Sequence, residues 1–113
     1  MARRDITGAV DFAYLEGFAH GDRGFVDEVL ELFREQAEIW RKMITPQTET
    51  WRDAVHALKG SARGVGAFRL GEICELVEAA GPAALDEVHN ALDAALFDIA
   101  AYQHEQALRS LKA

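Results

Sequence analysis

The spacing of its apolar residues limits what this chain can fold into more than any other feature of the sequence. In two long stretches, large apolar side chains recur at intervals that fit the α-helical turn of about 3.6 residues and so share one face. The first stretch contains Phe25, Val29, Phe33, Trp40 and Met43, and the second contains Leu85, Val88, Leu92, Leu96, Ile99 and Tyr102. Sustained alternation of apolar and polar residues, which is typical of strands, occurs nowhere. The sequence therefore predicts an all-α protein.

Glycine, proline and threonine divide the chain at four places. These breaks lie at residues 21–22, 45–50, 64–66 and 81–82. Asp22 is a suitable N-cap for the helix that follows it, and Gly81 with Pro82 is typical of a helix that stops and restarts. The helices predicted between the breaks cover residues near 10–20, 23–44, 49–64, 67–80 and 83–111. Because short links between amphipathic helices favour antiparallel packing, we expect an up-and-down four-helix bundle with a short extra N-terminal helix.

Length and composition fit one domain, residues 1–113, since half of the residues are hydrophobic and can form a core. Cys74 is the only cysteine, so no disulfide can form within the chain. The net charge of −7 argues against non-specific nucleic-acid binding. No apolar run approaches the roughly 18 residues needed to span a bilayer, and the opening segment lacks the apolar core of a signal peptide. We therefore expect a cytoplasmic protein that binds neither nucleic acid nor membrane.

The third predicted helix carries the strongest functional signal. At about 100° per residue, its apolar side chains fall opposite His56 and are expected to face the core. These core-side residues are Trp51, Val55, Leu58, Ala62 and Val65. Arg52, Lys59, Gly60 and Arg63 fall within about 60° of His56 on the same projection. The helix therefore presents a histidine, three cations and a glycine on its outer face, in a protein that is acidic overall.

Transfer of a phosphoryl group to histidine would explain each member of this outer stripe. Neutral imidazole is a good nucleophile, and its unperturbed pKa of about 6.5 keeps much of it neutral in the cytoplasm. Lys59, one turn along, is placed to stabilise charge on the phosphoryl oxygens. Arg52 and Arg63 would attract an acidic partner. Gly60 costs a helix roughly 1 kcal/mol relative to alanine, which is understandable if a partner's active site must come close to His56.

Geometry alone leaves an alternative open, in which His56 is a solvated histidine on a basic helical face. Asp53, three residues earlier, is placed to orient the imidazole ring in the functional interpretation. The aromatic residues at core spacing are expected to be core, although some near the second helix are candidates for an exposed docking patch beside His56. These aromatic residues are Phe18, Phe25, Phe33, Trp40 and Phe68.

Other candidate sites are weaker. His20 precedes Gly21 at a helix end, where a capping or solvated role is expected. His89 and His104 are too far apart on one helix to form the i, i+4 pair of a metal site, so no metal is predicted. Cys74 lies on an apolar helix and is expected to be buried and inert. The glycines lack the context of a phosphate-binding or dinucleotide-binding loop, and no cofactor is predicted.

The run from His56 to Ala67, HALKGSARGVGA, resembles the signature of histidine-containing phosphotransfer (HPt) domains, roughly H-x-L-K-G-[SA]-[SA]-x-x-x-G-[AL]. Every fixed position of that pattern is matched. The segments Phe18–Asp22, Phe25–Val26 and Leu32–Gln36 also resemble the family's first two helices, so the resemblance covers nearly the whole chain. Ala62 stands where many members have serine. Because it lies on the predicted core side, we expect little consequence.

The resemblance implies a phosphocarrier in a two-component phosphorelay, without an ATP-binding or catalytic domain of its own. His56 would carry the phosphoryl group, exposed midway along its helix, and exchange it with the aspartate of a response-regulator receiver domain. Lys59 would support the phosphoryl group, and Gly60 would give the partner clearance, with Arg52 and Arg63 beside them. The expected partners are receiver domains and a hybrid histidine kinase.

Two alternatives remain beside this interpretation. One is a bundle of the same fold that binds a receiver without being phosphorylated, and the presence of both His56 and Lys59 argues against it. The other is a dimeric phosphotransferase of the histidine-kinase type, which forms its bundle from two chains. The HPt interpretation predicts a monomer instead. The sequence names neither the cognate kinase and receiver nor the direction of phosphate flow.

Overall fold

The computed structural model describes residues 8–112 as a bundle of helices. The helices are α1 (Phe12–Phe18), α2 (Arg23–Met43), α3 (Trp51–Gly64), α4 (Phe68–Ala80) and α5 (Leu85–Lys112), with a 3₁₀ turn at Pro82–Ala84 before α5. No strand occurs within this described range. The all-α prediction is confirmed, and each predicted helix is found with its ends displaced by at most a few residues. The expectation about a signal peptide falls mainly on residues 1–7, which lie outside the described range.

The helix ends follow from local hydrogen bonding and backbone freedom. Asp22 caps α2 as predicted, because its side chain accepts a hydrogen bond from the Phe25 amide at 3.0 Å. Asp11 caps α1 in the same way. His20 has a φ of 53° and lies in the turn that reverses the chain between α1 and α2. Gly81 has a φ of 112° and ends α4, as its position before Pro82 predicts.

Contacts between helices establish the up-and-down arrangement. The guanidinium of Arg34 donates to Gln103 at 2.7 Å, and that of Arg41 donates to Asp93 at 2.7 Å. Residue numbers therefore rise along α2 as they fall along α5, so these helices are antiparallel. The short turn at residues 65–67 likewise reverses the chain between α3 and α4.

Gly66 allows α1 to lie against the turn between α3 and α4. Its φ is 90°, and a Cβ at this position would lie only 2.6 Å from the carbonyl oxygen of Asp11. The Asp11 amide donates to the Gly66 carbonyl at 2.9 Å. Both the backbone conformation and the close approach therefore require glycine here. The glycine of the sequence motif at this position explains how α1 covers one end of the bundle.

The core draws on every helix of the described range. The residues predicted to lie on the inner face of α3 are all buried, with at most 8% of the surface of any one exposed; they are Trp51, Val55, Leu58, Ala62 and Val65. Large side chains with less than 2% exposure complete the centre, among them Leu15, Leu30, Leu70, Leu92 and Ile99. Replacing such a leucine by alanine typically costs about 2–5 kcal/mol of stability. This packed inner face fixes which residues α3 presents to solvent.

The burial of the aromatic residues differs in part from the sequence-based expectation. Phe33 is buried and Trp40 packs against the core, as predicted. Phe18, Phe25 and Phe68 are exposed by 66%, 40% and 40%, so the core assignment was wrong for these three. They lie at the margins of helices, where helical spacing alone does not establish burial. Phe25 is the member of this group that lies on α2.

Candidate functional site

His56 lies midway along α3 on the face turned away from the core, and 68% of its side chain is exposed. Its Nδ1 lies 2.9 Å from Oε2 of Glu78 on α4. The other ring nitrogen, Nε2, has no hydrogen-bond partner within residues 8–112. The ring is therefore held at one nitrogen and open to solvent at the other.

Lys59 lies one turn after His56, and both side chains reach the same carboxylate. The Lys59 ammonium is 2.7 Å from Oε1 of Glu78, and only 18% of the lysine side chain and 20% of the glutamate side chain are exposed. Residues i and i+3 share a face of a helix, which explains how one group on α4 serves both. Hydrogen bonding from Lys59, and then from His56, lowers the pKa of Glu78, although partial burial acts in the opposite direction. The carboxylate is therefore ionised at neutral pH.

The charge of Glu78 determines how the imidazole is protonated. An ionised carboxylate only accepts hydrogen bonds, so Nδ1 of His56 must be the donor in this contact. In a neutral imidazole the proton on Nδ1 leaves the lone pair on Nε2. The exposed nitrogen is then the nucleophilic one. The ring orientation and the tautomer both favour attack by Nε2 on a group that approaches from solvent.

The two arginines of the predicted stripe are present on this face, but each is tied to α4. Arg52 Nε donates to the backbone carbonyl of Glu78 at 3.1 Å, and its guanidinium carbon lies 4.5 Å from the centre of the Trp51 ring. Arg63 pairs with Glu75 at 2.6 Å, and this contact lowers the pKa of Glu75. The sequence predicted the placement of the cations. The charge of Arg63 is compensated by the Glu75 carboxylate of α4, whereas Arg52 contacts a backbone carbonyl of that helix.

Gly60 borders His56 on the side facing α2. A Cβ at Gly60 would meet no atom of another part of the protein within 4 Å, and the same holds for Gly64 one turn later. Ala57 and Gly60 are both exposed. This side of His56 is therefore low and unobstructed, in agreement with the clearance expected for Gly60.

An open apolar groove follows this low surface, between α2 and α3. Its walls come from Val29, Leu32, Phe33 and Gln36 of α2 and from Ser61, Gly64 and Val65 of α3 and its end. Three large hydrophobic residues of α2, spaced seven apart, stand exposed along this helix by 40%, 58% and 54%; they are Phe25, Leu32 and Ile39. Seven residues make about two helical turns, so the three side chains form one ridge.

His89 and the cysteine have structural surroundings, whereas His104 is exposed. His89 Nε2 contacts the carbonyl oxygen of Ile44 at 2.7 Å and so ties α5 to the end of α2. Cys74 is fully buried, as predicted, and burial raises the pKa of its thiol to about 12, which makes it a poor nucleophile. Among residues 8–112, no three side chains of the histidine, cysteine, aspartate and glutamate types come together as metal ligands. No helix of the described range is long and apolar enough to cross a bilayer.

The sequence reasoning missed both carboxylates of the site. Asp53 was expected to orient the imidazole, but Glu78 makes the contact with Nδ1. Glu75 and Glu78 are three residues apart on α4 and face the cations of α3. The antiparallel pairing of α3 with α4 across a short turn is the signal that could have revealed them. That signal can be used only when the register between α3 and α4 is known.

The fold and the site define a class of protein, a helical bundle that presents an exposed histidine beside a lysine and a glycine on one face. The sequence model of the Hpt domain matches residues 24–109, so this chain belongs to the Hpt domain family. It is 67% identical to the histidine phosphotransferase ShpA from Caulobacter crescentus. The crystal structure of that protein superimposes with a TM-score of 0.88 and covers 92% of this chain and 99% of the other. A comparison with curated protein sequences gave no match.

Proposed function

We propose that this protein is a phosphocarrier of a two-component phosphorelay and that His56 carries the phosphoryl group on Nε2. The observation that carries the proposal is the state of the ring, with Nδ1 bound to Glu78 at 2.9 Å and 68% of the side chain exposed. Membership of the Hpt domain family and likeness to a histidine phosphotransferase support the same role. The partners are receiver domains of response regulators and a hybrid histidine kinase.

The chemistry of transfer needs few groups from this chain. The Nε2 lone pair of His56 attacks the phosphorus of an aspartyl phosphate on the receiver. The N–P bond forms as the P–O bond to the aspartate breaks, and the electron pair leaves with the carboxylate. The reverse reaction returns the group to a receiver. Because such transfer depends on positioning and charge stabilisation, the partner's in-line approach matters as much as the nucleophile.

Lys59 supplies positive charge beside the reacting nitrogen. Its ammonium lies 2.7 Å from Glu78 in the resting protein, on the same face as His56. A short rotation of the flexible lysine side chain would bring it to a phosphoryl oxygen. There it would stabilise the charge that is shared among the oxygens during transfer. Arg52 and Arg63 line the same side and take part in docking.

The groove between α2 and α3 is the docking surface for the receiver. It begins beside Gly60, which leaves open space next to His56, and it continues along exposed apolar residues such as Leu32. An amphipathic helix of the partner would bury this apolar strip and set its own aspartate above His56. Apolar docking on one side leaves Lys59 on the other side free for the reaction.

We further propose that residues 1–113 act as a single HPt domain, monomeric and cytoplasmic, and that the chain serves as a carrier without catalytic activity of its own. One described bundle with one core, α1 to α5, supports this view. Native mass spectrometry distinguishes it from a dimeric phosphotransferase of the histidine-kinase type, since the proposal requires the mass of one chain. A dimer with a bundle shared between two chains would contradict the monomeric assignment.

The proposal is tested by incubating the protein with a panel of receiver domains phosphorylated with radiolabelled phosphate. We expect acid-labile label on this chain from at least one receiver. His56→Gln should abolish that label while the variant still melts cooperatively, and variants of His20, His89 and His104 serve as matched controls. Label that survives in His56→Gln and disappears in one of the three controls would refute the assignment of His56.

A further inference from the structure

A cavity of about 280 Å³ lies at one end of the bundle, between the chain reversal from α1 to α2 and the C-terminal turns of α5. The side chains in its walls are Glu16, Arg23, Val26, Tyr102, Gln106 and Arg109. None of them belongs to the site around His56. We infer that the cavity is a binding site for a small organic anion, whose carboxylate or phosphate group is held by Arg23 and Arg109. This inference concerns a second site and does not depend on the proposed function.

The two arginines of the cavity are cations without a compensating partner. Neither forms an ion pair within the described part of the chain, whereas arginines such as Arg34 pair with a carboxylate. The acidic side chain in the described wall, Glu16, accepts a hydrogen bond from the Tyr102 hydroxyl. Arg23 and Arg109 thus line one concave surface with their charge unbalanced, in a protein whose net charge is −7. A bound anion would balance that charge.

The donors around the cavity suit an oxyanion. A guanidinium presents five N–H donors in a planar fork that matches the oxygens of a carboxylate or a phosphate group. Arg23 is the first residue of α2, so the positive end of that helix dipole adds to the attraction for an anion. Gln106 lies three residues before Arg109, on the same side of α5, and its side-chain amide is a further donor. Donors therefore approach the cavity from both α2 and α5.

The size and the base of the cavity favour a small organic anion. Its volume of about 280 Å³ is close to the lower end of the range for ligand pockets, roughly 300–1,000 Å³. Val26 and Tyr102, each only 4% exposed, provide apolar surface at its base. Apolar surface with a few charged groups is typical of small-molecule sites. Because the surface is concave, a compound of a few carbon atoms fits it better than an acidic side chain on the face of another protein.

Three arginine variants separate this site from general effects of charge. Arg23→Gln and Arg109→Gln each remove one proposed ligand contact. Arg69→Gln is the matched control, because Arg69 on α4 also lacks an ion pair within the described residues and lies outside the cavity wall. All three arginines are exposed, and glutamine is a good helix former. The variants should therefore fold and melt like the unaltered protein when no ligand is present.

The experiment titrates the full-length protein with glycerol 3-phosphate, with succinate, and with sodium chloride at matched ionic strength. Binding is followed by calorimetry and by backbone amide NMR. We expect at least one of the two organic anions to bind at millimolar concentration and to shift the amides of Gly21 and Gln106, which line the cavity. Loss of a hydrogen bond to a charged group typically weakens binding about tenfold. Arg23→Gln and Arg109→Gln should each do so, and Arg69→Gln should not.

The outcomes distinguish the source of the oxyanion and exclude non-specific effects. Binding of glycerol 3-phosphate alone would identify a phosphate site, and binding of succinate alone would identify a carboxylate site. Anions that stabilise proteins by exclusion from their surface would act equally on all three variants. Failure of both compounds to bind, equal binding by the three variants, or shifts centred on His56 instead of the cavity would overturn the inference.

Discussion

The two sides of His56 differ in charge, in polarity and in the space that they leave open. On the side of α4, charged groups are paired at short distance, with Lys59 against Glu78 at 2.7 Å and Arg63 against Glu75 at 2.6 Å. On the side of α2, small residues such as Gly60 leave open space that leads to an apolar groove. We call these the charged flank (Arg52, Lys59, Arg63, Glu75 and Glu78) and the low flank (Ala57, Gly60, Gly64 and the groove).

This difference separates two requirements that a carrier of a reactive group must meet. In the proposed function, the reaction needs a defined tautomer and a cation near the phosphoryl oxygens, and Glu78 and Lys59 of the charged flank would provide them. Association needs shape and apolar area that several partners can share, and the low flank would provide these. Each flank can then be altered without directly disturbing the other, and this independence can be tested.

The largest expected effect comes from filling the low flank. Gly60→Gln should keep or raise the melting temperature, since glutamine is a good helix former and its Cβ would meet no atom of another part of the protein within 4 Å. Its side chain would project into the approaching receiver and disturb the in-line geometry, which typically costs about 100-fold in rate. Melting temperature and transfer rate are measured together. Normal transfer at normal stability would show that the partner approaches from another direction.

Gly60→Ala is the control for that variant. A methyl group is too small to obstruct a partner, and alanine should stabilise the helix by up to about 1 kcal/mol. We expect transfer to remain intact and thermal stability to rise. Loss of transfer in Gly60→Ala would mean that the partner needs the glycine backbone itself, closer than the groove geometry suggests.

A smaller effect is expected on the charged flank from Lys59→Ala. Loss of a single charge-stabilising donor costs about 100-fold in enclosed sites, and the solvent around His56 should reduce the effect here to about tenfold. Binding of the receiver should change little, so the maximal transfer rate should fall with nearly unchanged half-saturation. A fall in receiver affinity at an unchanged maximal rate would place Lys59 in docking instead.

Leu32→Ala tests whether the low flank contributes to receiver affinity without affecting the maximal transfer rate. Leu32 is 58% exposed in the groove, and truncation of an ordinary interface residue costs about 1 kcal/mol, or about fivefold in affinity. We expect a raised half-saturation concentration and an unchanged maximal rate. Phe97→Ala on α5, where the side chain is 53% exposed, is the matched control and should alter neither. Equal effects of both variants would indicate non-specific loss of apolar surface.

The smallest effect concerns stability against acid. Interaction with Lys59 lowers the pKa of Glu78 in the folded protein, so its contribution is present above the ordinary glutamate pKa of about 4.3 and is lost as the pH falls through the folded value. Because the pair is near the surface, the contribution should be below about 1 kcal/mol. The difference in melting temperature between the unaltered protein and Glu78→Gln should therefore shrink on acidification. A difference that grows at low pH would contradict the lowered pKa.

Gly60 on the low flank and the cations of the charged flank were predictable from the sequence, whereas the apolar groove and the two glutamates were not. Helical periodicity placed His56, Lys59 and Gly60 on one outer face because the inner face of α3 is strongly apolar, and a single helix determines that answer. Glu78 lies 22 residues from His56 along the chain, and its contact depends on how α3 and α4 pack. Such a pair follows from tertiary register, which residue spacing within one helix does not contain.

The exposed phenylalanines also show what residue spacing within one helix does not predict. Phe25 has the spacing of a core residue on α2, yet it is 40% exposed because the neighbouring helices do not cover that part of the surface. Spacing shows which side of a helix a residue occupies. Coverage by neighbouring helices decides whether that side is buried.

The most direct test of how His56 reacts is to identify the ring nitrogen that carries the phosphoryl group. The protein, labelled with ¹⁵N at histidine, is phosphorylated by a receiver and examined by ¹⁵N and ³¹P NMR. The contact between Nδ1 and Glu78 predicts phosphorus bound to Nε2 of His56 and a proton retained on Nδ1. Phosphorus on Nδ1, or on a histidine other than His56, would contradict the proposed geometry of the site.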